Sequence, residues 1–415
     1  MPKVTAFKAI RPTKEVSEKF AALPYDVYNR KESVEIVKKN SLSFLAIDRA
    51  ETSFSDDVDT YDERVYQKAK ELLESRINDG TLIQDEKPCF YVYELTMDGR
   101  AQTGIVACSS VDDYVNSVIK KHENTREDKE IDRIKHVDTT NAHTGPIFLV
   151  FRAKEELKKI VSDVKSDATK LLYDFSHEDG IRHRAFIIDD EKMVATIENI
   201  FSTIPCTYIA DGHHRCASAV KVGLKRREAN PSYTGEEGFN RFLSVLFPED
   251  ELYIMPYNRV VKDLNGLTKD EFFTKVKEAG FSIEEKDGQV APSSKATFGM
   301  LVEGKWYLLT ADEKLISKDP VKGLDVSILQ DYVLGPILGI ADPRTDKRID
   351  FVGGIRGLSE LERRCDSDML LAFSMYPTSI AELLEVADAG LLMPPKSTWF
   401  EPKLLSGMFI HSLND

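Results

Sequence analysis

Pro205-Cys206-Thr207-Tyr208-Ile209-Ala210-Asp211-Gly212-His213-His214-Arg215 reads as a short strand that ends in a tight turn and passes straight into a helix. Tyr208 and Ile209 favour a strand, and Asp211-Gly212 favours a turn. Cys216, Ala219, Val220 and Leu224 then recur at the three- and four-residue spacing of a helix face. Two imidazoles and a guanidinium therefore fall at a helix N-terminus. Free N–H groups and the positive end of the helix dipole collect there, and Arg215 makes the place suited to phosphate or carboxylate. Gly212 lets the backbone turn closely around a ligand. The plainer alternative makes Asp211 a helix cap, His213 and His214 packing or surface residues, and Arg215 the partner of a carboxylate. Histidine is scarce, eight in 415 residues, so adjacent copies directly after a strand favour a site. Zinc fits less well, since neighbouring histidines seldom face one ion and no helical His-x-x-x-His pair accompanies them.

The rest of the chain frames that motif. At 46.9 kDa with 42 % hydrophobic residues, it can bury a large core and has the length of two or three domains. Lys and Arg total 56 against 70 Asp and Glu, a net charge of −14. That balance disfavours nucleic acid, and the short basic run Lys225-Arg226-Arg227 lacks the aromatic interleaving of a single-strand binder. The N-terminus carries no secretory apolar stretch, and nowhere do 18 apolar residues run together, so the expectation is a soluble cytoplasmic protein with no membrane partner. Cys89, Cys108, Cys206, Cys216 and Cys365 are odd in number and scattered, which argues against a disulfide framework or a zinc knuckle.

Strand-like and helix-like stretches alternate, which predicts an α+β fold with a mixed-sheet core. Leu42–Ile47, Ile147–Phe151 and Arg184–Ile188 read as strands, and Tyr61–Ile77 and Glu127–His136 as helices. Phe90–Leu95 and Gln102–Cys108 bracket Met97-Asp98-Gly99-Arg100, a hairpin signal. Leu252–Val261 and Thr297–Leu309 add β regions, the latter turning at Glu303-Gly304-Lys305. Polar stretches at Ala229–Glu237 and Glu284–Ala296 divide the chain into 1–230, carrying the histidine motif, an α/β extension at 231–290, and a C-terminal α+β region at 291–415 that closes or supports the site. Neither a dinucleotide fingerprint nor a P-loop occurs. Val352-Gly353-Gly354-Ile355-Arg356-Gly357 is too short for either; a ligand role stays open for it, and a plain turn is the simpler reading.

Other polar clusters offer to complete a site. His122-Glu123-Asn124-Thr125 precedes a helix, and Asp138-Thr139-Thr140-Asn141-Ala142-His143 precedes a strand. Glu123 or Asp138 can hold magnesium or accept a proton, and Arg126, Arg133 or His143 can offset phosphate charge. Asp26, beside Tyr25 in Leu23-Pro24-Tyr25-Asp26-Val27, is a second candidate acid, with a turn cap as its alternative. Near the C-terminus, Ser379-x-x-Glu382 is a capping box opening a helix with Ile380, Leu383, Leu384 and Ala387 on its apolar face. Beyond it, Pro394, Pro395 and Pro402 hold the backbone extended while Lys396, Ser397, Thr398 and Lys403 offer donors, for an anion-binding role or for an edge segment that ties the C-terminus down.

Taken together, Leu23–Val27, His122–Thr125, Pro146-Ile147-Phe148-Leu149, Tyr208–Arg215 and Met393–Thr398 resemble a bacterial and archaeal domain-of-unknown-function family, the one numbered one thousand and fifteen. The resemblance spans nearly the full chain and does not settle an activity. The central motif also resembles the signature of the ParB and sulfiredoxin-like superfamily, which includes free-serine kinases and nucleotide-binding partition proteins. There a glycine, polar residues and an arginine open the helix that holds nucleotide phosphates, which implies that role for Gly212, His213, His214 and Arg215. Sulfiredoxins have a cysteine where this chain has His213, so their reductase chemistry is not implied, and the acidic chain shows no DNA-binding domain of a partition protein. The kinase relatives take a glutamate base from an earlier part of the chain, for which Glu123 is the preferred candidate.

The favoured expectation is a small-molecule kinase that uses ATP or ADP and Mg2+ to phosphorylate a hydroxyl, such as that of a serine-like amino acid. Arg215 binds phosphate, His213 and His214 orient it or donate protons, Asp211 sets the loop or positions metal, Glu123 activates the hydroxyl, and Lys396 contacts phosphate or substrate. A nucleotide-responsive binding or regulatory protein is the alternative, and a metal-dependent hydrolase the third reading.

Overall fold

The strand expected around Tyr208 spans Thr207–Asp211 and is one of nine in a single sheet. In the computed structural model, which describes residues 1–125 and 127–414, the chain forms two units. The first comprises Met1–Lys121, Thr125–Leu252 and Pro402–Asp415, and the second His122–Asn124 and Tyr253–Glu401.

The sheet of the first unit contains β1 (Val4–Thr5), β2 (Phe90–Met97), β3 (Arg100–Ser110), β4 (Ile119–Lys120), β5 (Ile147–Phe151), β6 (Leu171–Ser176), β7 (Arg182–Ile188), β8 (Thr207–Asp211) and β9 (Arg241–Pro248). Their order is β4-β8-β5-β9-β3-β2-β7-β6, with β1 against β3. Because β8 runs parallel to β4 and antiparallel to β5, while β9 runs parallel to β5, the sheet is mixed. The β2–β3 hairpin turns at Asp98 and Gly99, both with positive φ, as the primed turns of tight hairpins require. Helices α1 (Glu63–Asn78), α2 (Glu127–Thr140), α3 (Glu155–Ser166), α4 (Glu191–Phe201) and α5 (His213–Ala229) belong to the same unit. Leu149, Phe151, Ile209 and Leu246 from the strands, Leu157 and Val164 from α3, Ile197 and Phe201 from α4, and Cys216, Ala219 and Val220 from α5 meet in one buried cluster. Burial at these sites removes apolar area from water and holds the motif-bearing strand and helix together.

The second unit is built on an antiparallel sheet of β10 (Tyr257–Val261), β11 (Phe281–Lys286), β12 (Thr297–Val302), β13 (Lys305–Ala311), β14 (Ile349–Gly353) and β15 (Leu371–Met375). The strand order is β11-β13-β12-β15-β10-β14. Helices α6 (Lys269–Glu278), α7 (Ser359–Ser367) and α8 (Ile380–Asp388) accompany it. Among the described residues, no helix is long and apolar enough to cross a membrane.

Several local expectations change. Leu42–Ile47 is not a strand: after a turn, Leu45–Asp48 forms a short helix with all four residues buried. Leu252–Val261 is broken at Pro256 into Ile254–Met255 and β10, because proline cannot donate to the ladder. The divide between units falls at Leu252/Tyr253 rather than near 230 or 290. The polar stretch after Ala229 is only the connection from α5 to β9, and that after Glu284 joins β11 to β12 of one sheet. Gly353 and Gly354 are packing glycines, since a Cβ at the first would meet Trp399 at 2.6 Å and at the second Pro256 at 2.8 Å.

Candidate anion site at the start of a helix

Strand β8 is buried over its first four residues, and its ladder with β5 slips by one residue between Ile209 and Asp211. Such a bulge re-aims the end of a strand. Asp211 is then followed by Gly212 at φ 89° and ψ 30°, a left-handed conformation that glycine adopts without the cost a Cβ imposes, and α5 begins at His213. No side chain caps this helix. The first turn of a helix carries N–H groups without intrahelical acceptors and the positive end of the helix dipole.

Three charged side chains of the first unit gather at this start. The Asp211 carboxylate lies 3.5 Å from Arg215 Nη2 and 3.7 Å from Lys403 Nζ. Burial alone would raise the Asp211 pKa, but Lys403, then Arg215, then His213 and the Gly212 N–H hold it down at about 2. The carboxylate is therefore ionised at neutral pH and a weak proton acceptor. Lys403 comes from the C-terminal segment, which is stitched to this unit by the Ser406 N–H donating to the Ala22 carbonyl and the Gly407 N–H donating to that of Thr144. His213 is buried and His214 half-buried.

Arg215 also reaches inward. Its Nη1 donates to the Pro146 carbonyl at 2.7 Å, and the side chain lines a small cavity together with Tyr25, Asp48, Arg133, His136, His143 and Thr144. Arg133 stacks 4.0 Å over the Tyr25 ring, pairs with Asp132 at 2.9 Å and lies 3.9 Å from Asp48. Asp132 in turn accepts from the Tyr66 hydroxyl, and Asp48 from that of Thr144. The His143 ring is 5 % exposed, and burial first, then His411 and Arg226, drives its pKa well below the ordinary imidazole value, so it is neutral. Beside this buried ionic floor, the Pro146 carbonyl fixes one end of the Arg215 guanidinium. Asp48, Asp132 and His136 were not singled out from the sequence; the one local signal was a carboxylate closing the apolar run Leu45-Ala46-Ile47.

The remaining expected site residues are distributed differently. Asp138 is held by Lys225 at 2.6 Å and Arg226 at 3.1 Å, which join α2 to α5. Those two cations lower its pKa against the effect of burial, and the pairing ties α2 to α5. Asp26 is exposed in a turn ahead of the helix Arg30–Lys39, whose cap is Asn29. Arg126 lies outside the described residues. Glu123, Lys396, Ser397 and Thr398 belong to the second unit. There Lys396 is exposed with φ 61° and its ammonium lies 5.6 Å from the centre of the Tyr257 ring. Ser397 Oγ donates to the Pro394 carbonyl at 2.6 Å, and the Ser397 carbonyl accepts from the Thr378 hydroxyl. Trp399–Phe400 pairs with Ile254–Met255 in a two-stranded ladder.

The chain belongs to the DUF1015 family, described as a protein of unknown function, whose model matches residues 4–327. No curated protein matches it. Among solved structures it is similar to a free serine kinase variant in complex with AMP, at 14 % identity and a TM-score of 0.37, covering 74 % of this chain and 92 % of that one. A conserved hypothetical protein from Pyrococcus furiosus gives 15 %, 0.35, 74 % and 95 % respectively. C-terminally truncated SbnI from Staphylococcus aureus gives 11 %, 0.40, 72 % and 85 %.

Proposed function

We propose that this DUF1015 protein binds the phosphates of a nucleotide, ATP or ADP, at the start of α5 and transfers a phosphoryl group to the hydroxyl of a small metabolite. The observation that carries the reading is the uncapped helix start at Gly212 with Arg215 and Lys403 beside it. Backbone N–H groups at a bare helix start, a planar guanidinium and an ammonium are donors matched to phosphate oxygens, and they need no reorganisation as negative charge shifts during transfer.

In this reading Arg215 clamps phosphate from a position fixed by the Pro146 carbonyl. Lys403 adds a second cation, and His214, half-buried beside the helix start, orients a phosphate oxygen. Ionised Asp211 keeps the two cations in place and would be the residue to hold Mg2+, which would supply charge neutralisation. The acceptor hydroxyl attacks the terminal phosphorus, its proton passes to a carboxylate, and the bond to the bridging oxygen breaks to release the shorter nucleotide. A pKa of about 2 makes Asp211 a poor choice for that proton. Glu123 is the carboxylate proposed instead.

The test is direct. Calorimetry with ATP and ADP in the presence of Mg2+, followed by a hydroxyl-metabolite panel, should give binding and transfer for the wild type. Glu123→Gln should bind nucleotide as the wild type does while losing transfer. Equal transfer by the variant removes Glu123 as base, and no nucleotide binding by the folded wild type removes the whole reading. Binding without transfer to any acceptor would favour a nucleotide-responsive regulator, which the weak basicity of Asp211 already accommodates.

A further inference from the structure

We infer that the first unit carries a second binding site, independent of the nucleotide reading, for a small apolar molecule bearing one hydrogen-bond acceptor. It is a cavity of about 210 Å³ between α3 and the middle of the sheet. Its floor is made by Ile105 of β3, Phe151 of β5 and Leu246 of β9, three adjacent strands, and its roof by Leu157 and Val161 of α3.

The cavity opens to solvent past Lys158 and the exposed Ser162, and its inner end reaches the core. Ile105, Phe151, Leu157 and Leu246 are each no more than 2 % exposed. Protein interiors are ordinarily packed with few voids larger than a water molecule, and a cavity of about 150 Å³ with aliphatic and aromatic walls stays dry and accepts benzene. Retaining a larger one costs stability that a bulkier residue at position 161 would recover. The site is therefore sized for one ring or a short branched chain.

One edge of the cavity is polar and defined. Lys165 crosses it, donating to the Thr103 hydroxyl at 3.2 Å and pairing with Glu94, which is 2 % exposed and also pairs with Arg184. An ammonium has three N–H donors. Two are directed to Glu94 and Thr103, and the inference assigns the third to a ligand. Glu251 Oε2 is already accepting from the Thr103 N–H at 3.2 Å. The apolar walls and this single donor fit a carbonyl or carboxylate attached to an apolar body.

Benzamide, benzoate, benzylamine and toluene are suitable probes for the full chain. Saturating benzamide or benzoate should raise the unfolding temperature and shift the methyl resonances of Ile105, Leu157, Val161 and Leu246, locating the site without any variant. The stronger of the two tells carbonyl from carboxylate, and benzylamine should bind at least fivefold more weakly. Val161→Phe, which fills the cavity, should abolish binding while unfolding at the same or a higher temperature. Lys165→Met should weaken the acceptor-bearing probes at least fivefold and leave toluene unchanged. Absence of binding by either acceptor-bearing probe, shifts confined to other methyls, or undiminished binding to folded Val161→Phe overturns the inference. Toluene binding as tightly as benzamide and benzoate overturns its acceptor half. None of these results bears on nucleotide affinity, so the two readings fail separately.

Discussion

Two helices of this chain start in opposite ways. Helix α8 opens on Ser379, whose side chain accepts from the Glu382 N–H while Glu382 accepts from the Ser379 N–H, a complete capping box. Helix α5 opens on Gly212 with no side-chain cap at all. The nearby carboxylates differ in the same sense. Asp211 is held at about 2 by two cations, whereas Asp325 in the second unit is pushed up to about 6 by burial, relieved in part by the Ala296 N–H and raised further by Glu382 of that capping box. A finished start satisfies its own N–H groups and gathers negative charge beside it. A start without a capping side chain, with cations beside it, has no acceptor of its own to offer its N–H groups.

The largest effect that tests this contrast is at Asp325. Its folded pKa lies above the ordinary 3.8, so the folded state binds more protons, and stability contributed by this group falls as pH rises from about 4 to about 6. A shift of about 2 units corresponds to ~3 kcal/mol. Asp325→Asn keeps an acceptor for the Ala296 N–H, which now donates to the carboxylate at 2.9 Å. The variant should unfold at higher denaturant than the wild type at pH 8, by up to about 3 kcal/mol, and at the same denaturant at pH 4. Equal stability of the two proteins at pH 8 would mean that Asp325 is not destabilised when ionised. Asp211 has the opposite sign: its stabilising contribution is present above pH 4 and is lost as pH falls towards 2. More than a third of its side chain meets solvent, so that loss is screened and small.

Next in size is Arg215→Lys. An ammonium keeps the charge and loses the planar pair of donors, so nucleotide affinity should fall by about tenfold to a hundredfold, or roughly 1.5–3 kcal/mol. Calorimetry beside an unfolding curve separates the possibilities. Unchanged affinity with a lowered unfolding temperature would make the Pro146 contact the whole purpose of Arg215 and would leave the open helix start without its phosphate clamp.

How much of this was legible in the sequence depends on how local each feature is. The Asp98-Gly99 and Glu303-Gly304 turns, the Ser379 capping box and the β8–α5 junction are set by neighbouring residues, and all were readable. Leu42–Ile47 was misread because a short apolar run gives no period, and burial of a four-residue helix looks like burial of a strand. The unit boundary was missed because strand pairing, not composition, decides it: β9 lies beyond a polar loop yet sits between β5 and β3. The cavity floor under Arg215 combines residues from near 25, 48, 133 and 143, and only the fold brings them together. Asp138 looked like a free carboxylate because its partners, Lys225 and Arg226, are nearly ninety residues away.

The glycine itself supplies a smaller test. Gly212→Ala would place a Cβ in a left-handed backbone and 3.2 Å from Arg215 Nε. The conformation costs about 1–2 kcal/mol for a residue with a Cβ. Stability should drop by that amount, and nucleotide affinity should drop with it because the guanidinium must shift. If Gly212→Ala lowers stability while affinity holds, the turn matters for the fold alone.

The smallest expected change is the control on the finished helix. Ser379→Ala removes the oxygen that accepts from the Glu382 N–H, and with it the hydroxyl that donates to Glu382 Oε2 at 2.9 Å. The helix start then retains only the return bond from the Ser379 N–H to Glu382. Loss of such a cap costs about 1 kcal/mol, and the remaining Glu382–Lys295 pair at 2.5 Å does not replace it, because a side-chain ion pair cannot satisfy a backbone N–H. Chemical denaturation should register that loss, and nucleotide affinity should be the same as in the wild type. If Ser379→Ala and Gly212→Ala weakened nucleotide binding equally, destabilisation rather than the open helix start would account for both, and the difference between the two helix starts would carry no functional meaning.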